Sequence, residues 1–239
     1  MSSNIGRYIL VFSASIALAS CWDGNGKNME RYVTDYFDES NGNIRHLRDT
    51  TTRSRSKRYV LSKGKWPHRT LRWRLHNNQL SRNDRYIIRS TLHRAFDVWA
   101  EVSSLQFMEL KDSMDTTNNN NDEHSQHIPT DIDILFVKGK HGDGLPFDGP
   151  EGVVAHAFYP TVGALHFDAD ENWTLNSDSG INFFQTAVHE IGHLLGLEHS
   201  TDPRAVMFPK YRKFSTDFDL ADDDIRGVRS LYPLTDPKN

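Results

Sequence analysis

Cysteine is nearly absent. Cys21 is the single one in 239 residues, so no intramolecular disulfide framework can form. Stability outside a reducing compartment then has to come from the core and from bound metals. A strong charge of one sign is also missing. The net charge is −4, and the only dense basic run, Arg53-Ser54-Arg55-Ser56-Lys57-Arg58, is too local to form a nucleic-acid surface. Long apolar runs are missing as well. Tyr8 to Ala19 is the longest near the N-terminus, and it is too short to span a bilayer. One core of ordinary size suffices for a chain of this length.

That short run follows Arg7 and contains the small residues Ala17 and Ala19, the pattern of a secretory signal over residues 1–19. Leu18-Ala19-Ser20-Cys21 also has the form of a bacterial lipoprotein box. Residues 20–58 are polar, lack an apolar period and end at Arg55-Ser56-Lys57-Arg58, which suits a convertase of the furin type. They read as a propeptide. From Tyr59 the pattern becomes globular. Leu71, Trp73 and Leu75 alternate as a half-buried strand, and Ser81 caps a helix with the stripe Ile88, Leu92, Ala95, Phe96, Trp99 and Val102. Further strands are expected at 105–110, 132–137, 153–159 and 164–167, with helices at about 182–197 and 220–231. The stretch Asp112 to Pro129 reads as a surface loop, and His124 and His127 within it as solvated side chains. This order suggests an α+β domain with a mixed sheet over residues 59–232, then a short tail, 233–239.

The decisive stretch is His189-Glu190-Ile191-Gly192-His193-Leu194-Leu195-Gly196-Leu197-Glu198-His199. Residues four apart share a helix face, so His189 and His193 can offer both imidazoles to one ion. Gly196 permits a sharp turn that returns His199 as third ligand. Three protein ligands leave one position open, the mark of a catalytic zinc, and Glu190 can reach a water there as general base. Met207, in Ala205-Val206-Met207-Phe208-Pro209, stands where a tight turn would floor the site.

With those residues the sequence resembles the matrix metalloproteinases, the matrixin branch of the metzincin endopeptidases, and Ser200 after the third histidine fits this branch. The resemblance runs from Arg58 to Tyr232 through Arg58-Tyr59-Val60-Leu61, His141-Gly142-Asp143-Gly144, Pro146-Phe147-Asp148-Gly149-Pro150, Ala155-His156-Ala157-Phe158, His166-Phe167-Asp168 and Asp223-Asp224-Ile225. It implies a twisted, mixed five-stranded sheet with three helices and a zinc cleft between upper and lower subdomains. It also implies a second, structural zinc on His141, Asp143, His156 and His166, and a calcium on Asp148, Gly149, Glu151, Val153, Asp168 and Glu171. Protein or peptide substrates would lie along the edge strand near Gly152 to His156. Val154, Ala155, His189, Pro209 and Tyr211 would stand beside the cleavage point, with Gln185 at the pocket floor. After cleavage behind Arg58, the new ammonium of Tyr59 would meet Asp223. The expected protein is a secreted, monomeric zinc endopeptidase of extracellular or matrix proteins, subject to protein inhibitors and without a haemopexin-like domain.

Two departures from the family stand out. Ala164 replaces the usual aspartate two residues before His166, which leaves Asp131 as a lone carboxylate and predicts loss of a second calcium. No cysteine-switch motif precedes the catalytic domain, and Asp35 or Asp38 is left as an alternative zinc ligand in the leader. The rival readings are a non-catalytic secreted zinc- and calcium-binding module, against which Glu190 argues, and a bacterial lipoprotein protease.

Overall fold

The computed structural model describes residues 32–36 (as backbone), 59–62, 64–76, 80–110, 129–150, 152–177, 179–210 and 212–234. Strand β1 is Tyr32–Tyr36, β2 is Thr70–Leu75, β3 is Gln106–Glu109, β4 is Ile132–Val137, β5 is Val153–Phe158 and β6 is Ala164–Asp168. Two short strands, β7 (Trp173–Thr174) and β8 (Ile181–Asn182), pair with each other. The helices are α1 (Arg82–Ala100), α2 (Phe183–Leu194) and α3 (Asp222–Leu231).

The main sheet has the order β1-β5-β6-β4-β2-β3. Strands β3, β2, β4 and β6 run parallel, and β5 runs antiparallel to β6. This is the expected five-stranded mixed sheet with one strand more. Strand β1 lies in the segment before Tyr59, pairs antiparallel with the outer edge of β5, and is not among the strands expected from the sequence.

Local chemistry explains the element ends. Ser81 Oγ accepts the Asp84 N–H at 3.2 Å to start α1, and Asn182 Oδ1 accepts the Gln185 N–H at 3.0 Å to start α2. The α1 stripe buries Leu92, Ala95, Phe96 and Trp99 as its spacing requires, while Ile88 and Val102 are partly buried. Trp99 Nε1 donates to the Val188 carbonyl at 2.9 Å, tying α1 to α2. Phe136, Phe167, Trp173 and Phe183 pack ring on ring between sheet and α2, with neighbouring centroids 5.0–6.4 Å apart.

Candidate active site

Helix α2 ends in a Schellman turn. The Leu197 N–H donates to the Gly192 carbonyl at 3.0 Å and the Gly196 N–H to the His193 carbonyl at 2.9 Å. Gly196 has φ +99°, and a Cβ there would fall 2.7 Å from the Gly64 carbonyl oxygen. The turn is clamped by the segment after Tyr59: Ser62 N–H donates to Gly196 O at 2.8 Å and Glu198 N–H to Val60 O at 2.9 Å. Two more carbonyls at the helix end find partners in the core. Trp66 Nε1 donates to Leu194 O at 2.8 Å, and the Tyr232 hydroxyl donates to Leu195 O at 2.9 Å while accepting the Trp66 N–H at 3.0 Å. Burial pushes the Tyr232 phenol up to about 12.

The turn brings His189, His193 and His199 together, with ring centroids 4.8–5.4 Å apart. One ring nitrogen of each lies within 4.8 Å of the others. His189 Nδ1 is 2.6 Å from Val206 O and His193 Nδ1 is 2.7 Å from Leu197 O, so both rings donate there and turn Nε2 lone pairs inward. The two Nε2 atoms are 3.1 Å apart. Two nitrogens on one tetrahedral zinc would sit about 3.3 Å apart, so the donor set fits that ion. Glu190 is fully buried beside His189 on α2.

Met207 lies beneath α2, and the residues that seat it there have roles that spacing did not reveal. A Cβ on Gly192 would fall 2.2 Å from Met207 Sδ, so the glycine between the two ligands is what admits Met207 beneath the helix. Asp224, at the start of α3, accepts the N–H groups of Val206 (2.7 Å), Met207 (3.0 Å) and Ala221 (2.9 Å). Burial pushes its carboxyl up, against the pull of those three donors. Arg212 gives its guanidinium to the carbonyls of Pro203, Arg204 and Ala205 on the same loop. Asp223 accepts the Ser200 hydroxyl at 2.5 Å, and Tyr59 and Asp223 line one small cavity with Ser200 and Met207.

A second cluster joins His141, Asp143, His156 and His166. Asp143 Oδ2 lies 2.8 Å from His141 Nε2, 2.7 Å from His156 Nε2 and 2.9 Å from His166 Nδ1. His141 Nδ1 is turned to the Gly139 carbonyl at 2.8 Å, which orients that ring. Burial alone would raise the Asp143 carboxyl, but its bonds with His156, His166 and the Leu145 N–H draw it well below the usual carboxylate range. Burial lowers His156, with like charge from His166 and His141 acting the same way against Asp143. A carboxylate and a neutral imidazole are the ligand forms a zinc takes.

Of the residues matched to calcium, Asp148 accepts the Val153 N–H at 3.0 Å. The Asp168 carboxylate is fully buried, with Oδ1 on the Asp170 N–H at 2.8 Å and Oδ2 without a hydrogen bond among the described residues. Burial raises the Asp168 carboxyl, and nearby Asp170 and Asp148 add to this, while the Asp170 and Gly149 N–H groups oppose it. A hard cation would relieve that crowding. Glu171 places its N–H 3.4 Å from the Asp168 carbonyl. Glu151 and Tyr211 lie outside the described residues. Asp131 accepts from the Arg72 N–H at 2.8 Å and faces His68 Nε2 at 3.0 Å.

Val154 and Ala155 are buried on β5, and Pro209 is partly buried. Gln185, 5% exposed, accepts the Ser215 N–H at 3.2 Å and donates to Lys213 O at 3.4 Å, so it clamps the segment that follows Tyr211. Asp35 is in β1, at the register position of Ala155. Asp38, Cys21, the basic run 53–58 and the loop histidines lie outside the described residues.

A family model described as matrixin matches residues 65–233. The chain is 42% identical to matrix metalloproteinase-16 of Homo sapiens over 184 residues, 74% of this chain and 29% of that protein. It is 40% identical to stromelysin-3 of Mus musculus over 185 residues, 75% of this chain and 34% of that one. With the hatching enzyme of Paracentrotus lividus it shares 44% over 155 residues, 65% of this chain and 24% of the other. The match thus spans about a third or less of each relative's length, in the part that carries both histidine clusters here. The chain belongs to the matrixin family of metallopeptidases.

Proposed function

We propose that the protein is a secreted zinc endopeptidase acting on extracellular or matrix proteins, with His189, His193 and His199 holding the catalytic ion. The observation that carries this is the pair of inward-turned imidazoles, each fixed by a backbone carbonyl, beside the buried Glu190. Zinc, when bound there, lowers the pKa of a water to about 7 and polarises the scissile carbonyl. Glu190 takes the proton of the attacking water and delivers it to the leaving amine. The Ala155 carbonyl on β5 accepts from that amine. Substrate lies extended on the edge of β5, where main-chain bonds supply affinity. Val154, Pro209 and Tyr211 shape the neighbouring pocket, with Gln185 at its floor.

A second zinc on His141, Asp143, His156 and His166, and a calcium held by Asp148, Gly149, Glu151, Val153, Asp168 and Glu171, stabilise the edge-strand region. The unused Asp168 oxygen supports the calcium. A signal over residues 1–19 and cleavage behind Arg58 by a convertase complete maturation of a monomer. Glu190→Ala should abolish peptide cleavage while zinc content and folding stay near the parent. Residual activity within about tenfold, or roughly 1.4 kcal/mol of barrier, would refute the assignment.

A further inference from the structure

We infer that the leader segment Tyr32–Tyr36 is a built-in pseudosubstrate strand that keeps the uncut chain silent by occupying the edge of β5; this rests on the peptidase reading above. A β-strand has two hydrogen-bonding edges. One edge of β5 is taken by β6, through Ala155–Phe167, His156–His166 and Ala157–Leu165. The other is taken by β1, through Tyr32–Phe158, Val33–Ala157, Thr34–His156, Asp35–Ala155 and Tyr36–Val153. A substrate added by strand pairing needs that same outer edge, so β1 and substrate exclude each other.

The edge in question borders the zinc helix. Val154 and Ala155 of β5 share one core cluster with Val188, Ile191 and Leu194 of α2. Just past β5, the Tyr159 ring meets His193 edge-on at 6.1 Å between centroids. The register of β1 slips between Asp35 and Tyr36, skipping Val154. The leader therefore runs the length of the rim along which the cleavage point must lie. Its sequence, Tyr-Val-Thr-Asp-Tyr, is rich in β-branched and aromatic residues, as a strand requires.

Covalent linkage decides how strongly so short a strand binds. Twenty-two residues, 37–58, join Tyr36 to Tyr59. Their extended reach is about 75 Å, more than a small domain spans, so both ends can be seated at once. Five residues of ladder give only modest net affinity, because each hydrogen bond to β5 replaces one to water. Tethering raises the effective concentration to the order of mM, and cleavage at Arg58 returns the strand to simple dilution. Cutting the tether thus frees the edge without any contact being remade, and no thiol is needed.

The test uses the full chain in three forms: uncut with Arg55→Ala and Arg58→Ala, the same with Val33→Pro and Thr34→Pro, and the parent cut at Arg58 by a convertase. Successive N–H groups point to opposite edges of a strand, so one of the two prolines must remove a donor facing β5. Peptide cleavage and hydrogen exchange at the β5 amides are both measured. The uncut chain should cleave a peptide at least about tenfold more slowly than the cut one. The double-proline chain should come within about threefold of the cut one, and the outer β5 amides should be protected only in the uncut parent sequence. An uncut chain as active as the cut one, or a double-proline chain as silent as its parent, overturns the inference. Amide exchange reads strand occupancy even if no form cleaves peptide, an outcome that would instead sink the peptidase reading. Unprotected β5 amides in the uncut chain overturn the inference whatever the activities.

Discussion

Asp224→Asn offers a test of how a carboxylate that touches no metal ligand controls the zinc site. Its carboxylate receives three buried N–H groups, with Oδ2 serving Val206 and Ala221 and Oδ1 serving Met207. An asparagine keeps one acceptor oxygen. In its better orientation it still leaves the Met207 N–H facing an amide NH2, a loss of about 1–3 kcal/mol. The two remaining bonds lose their charge assistance, about 1 kcal/mol each, and relief of the buried charge offsets part of this. The net cost is then about 2–4 kcal/mol, and a domain of this size should melt roughly 5–15 °C lower. The effect continues to the metal, because the Val206 carbonyl is the acceptor that orients His189. Loosening an outer-shell partner of a ligating histidine costs about 10–100-fold in metal affinity. Chelator competition should therefore show weaker binding of the catalytic zinc in that range. Asp223→Asn is the control, since Asp223 bonds Ser200 and neither Val206 nor Met207. A zinc affinity within about threefold of the parent in Asp224→Asn, alongside a clear drop in melting temperature, would refute the coupling.

Other expectations follow from the same geometry. His156→Ala should lower zinc content by one per chain and destabilise the fold; unchanged stoichiometry by elemental analysis would rule out the second zinc. The Tyr232 phenol, raised from an unfolded value near 10 to about 12, stabilises the fold fully below pH 10. That contribution, roughly 2–3 kcal/mol, should fade as pH rises from 10 through 12 and be missing from the alkaline titration of Tyr232→Phe. The same variant should be less stable at neutral pH by about 1–3 kcal/mol, because the Trp66 N–H loses its acceptor. Chains whose mature end is Arg58 or Val60 instead of Tyr59 should show lower kcat at equal zinc content if the Tyr59 ammonium pairs with Asp223. Equal rates for all three would reduce Asp223 to a helix-end charge.

The main elements were legible because their signals are local. Alternation in Leu71, Trp73 and Leu75 marked β2, Ser81 marked the start of α1, and the histidine spacing fixed α2 and its glycine stop. Both histidine clusters assemble from residues named in advance, although the four-ligand cluster came from family resemblance and not from spacing. Short strands β7 and β8 carry two residues each, too few for any period. Roles that depend on distant partners were invisible: Gly192 matters only because Met207 lies under it, and Tyr232 only because Trp66 and Leu195 meet at its hydroxyl. Strand β1 was missed for a different reason. Its neighbours are polar and no apolar alternation runs through them, so only the β-forming character of Tyr32, Val33, Thr34 and Tyr36 marked it.

With no disulfide available, the rim that would carry substrate has to be held by other means. Strand β5 is tied inward by β6 and by the loop at 139–150, and that loop reaches the sheet through polar groups. His141 and Asp143 meet His156 and His166, and Asp148 accepts from Val153 at the first residue of β5. Phe147 adds an apolar contact, its ring 4.8 Å from that of His156 and 5.0 Å from that of His141. Acidic groups accumulate there too, and Asp168 already has its carboxyl raised by burial and by its acidic neighbours. Cations bound at those groups would turn repulsion into crosslinks, doing for the loop what disulfides do in small secreted domains. On this view chelation should act on the enzyme twice. Besides emptying the catalytic site, it should loosen the β5 edge, so that amide exchange rises along Val153–Phe158 before the α1–α2 core opens.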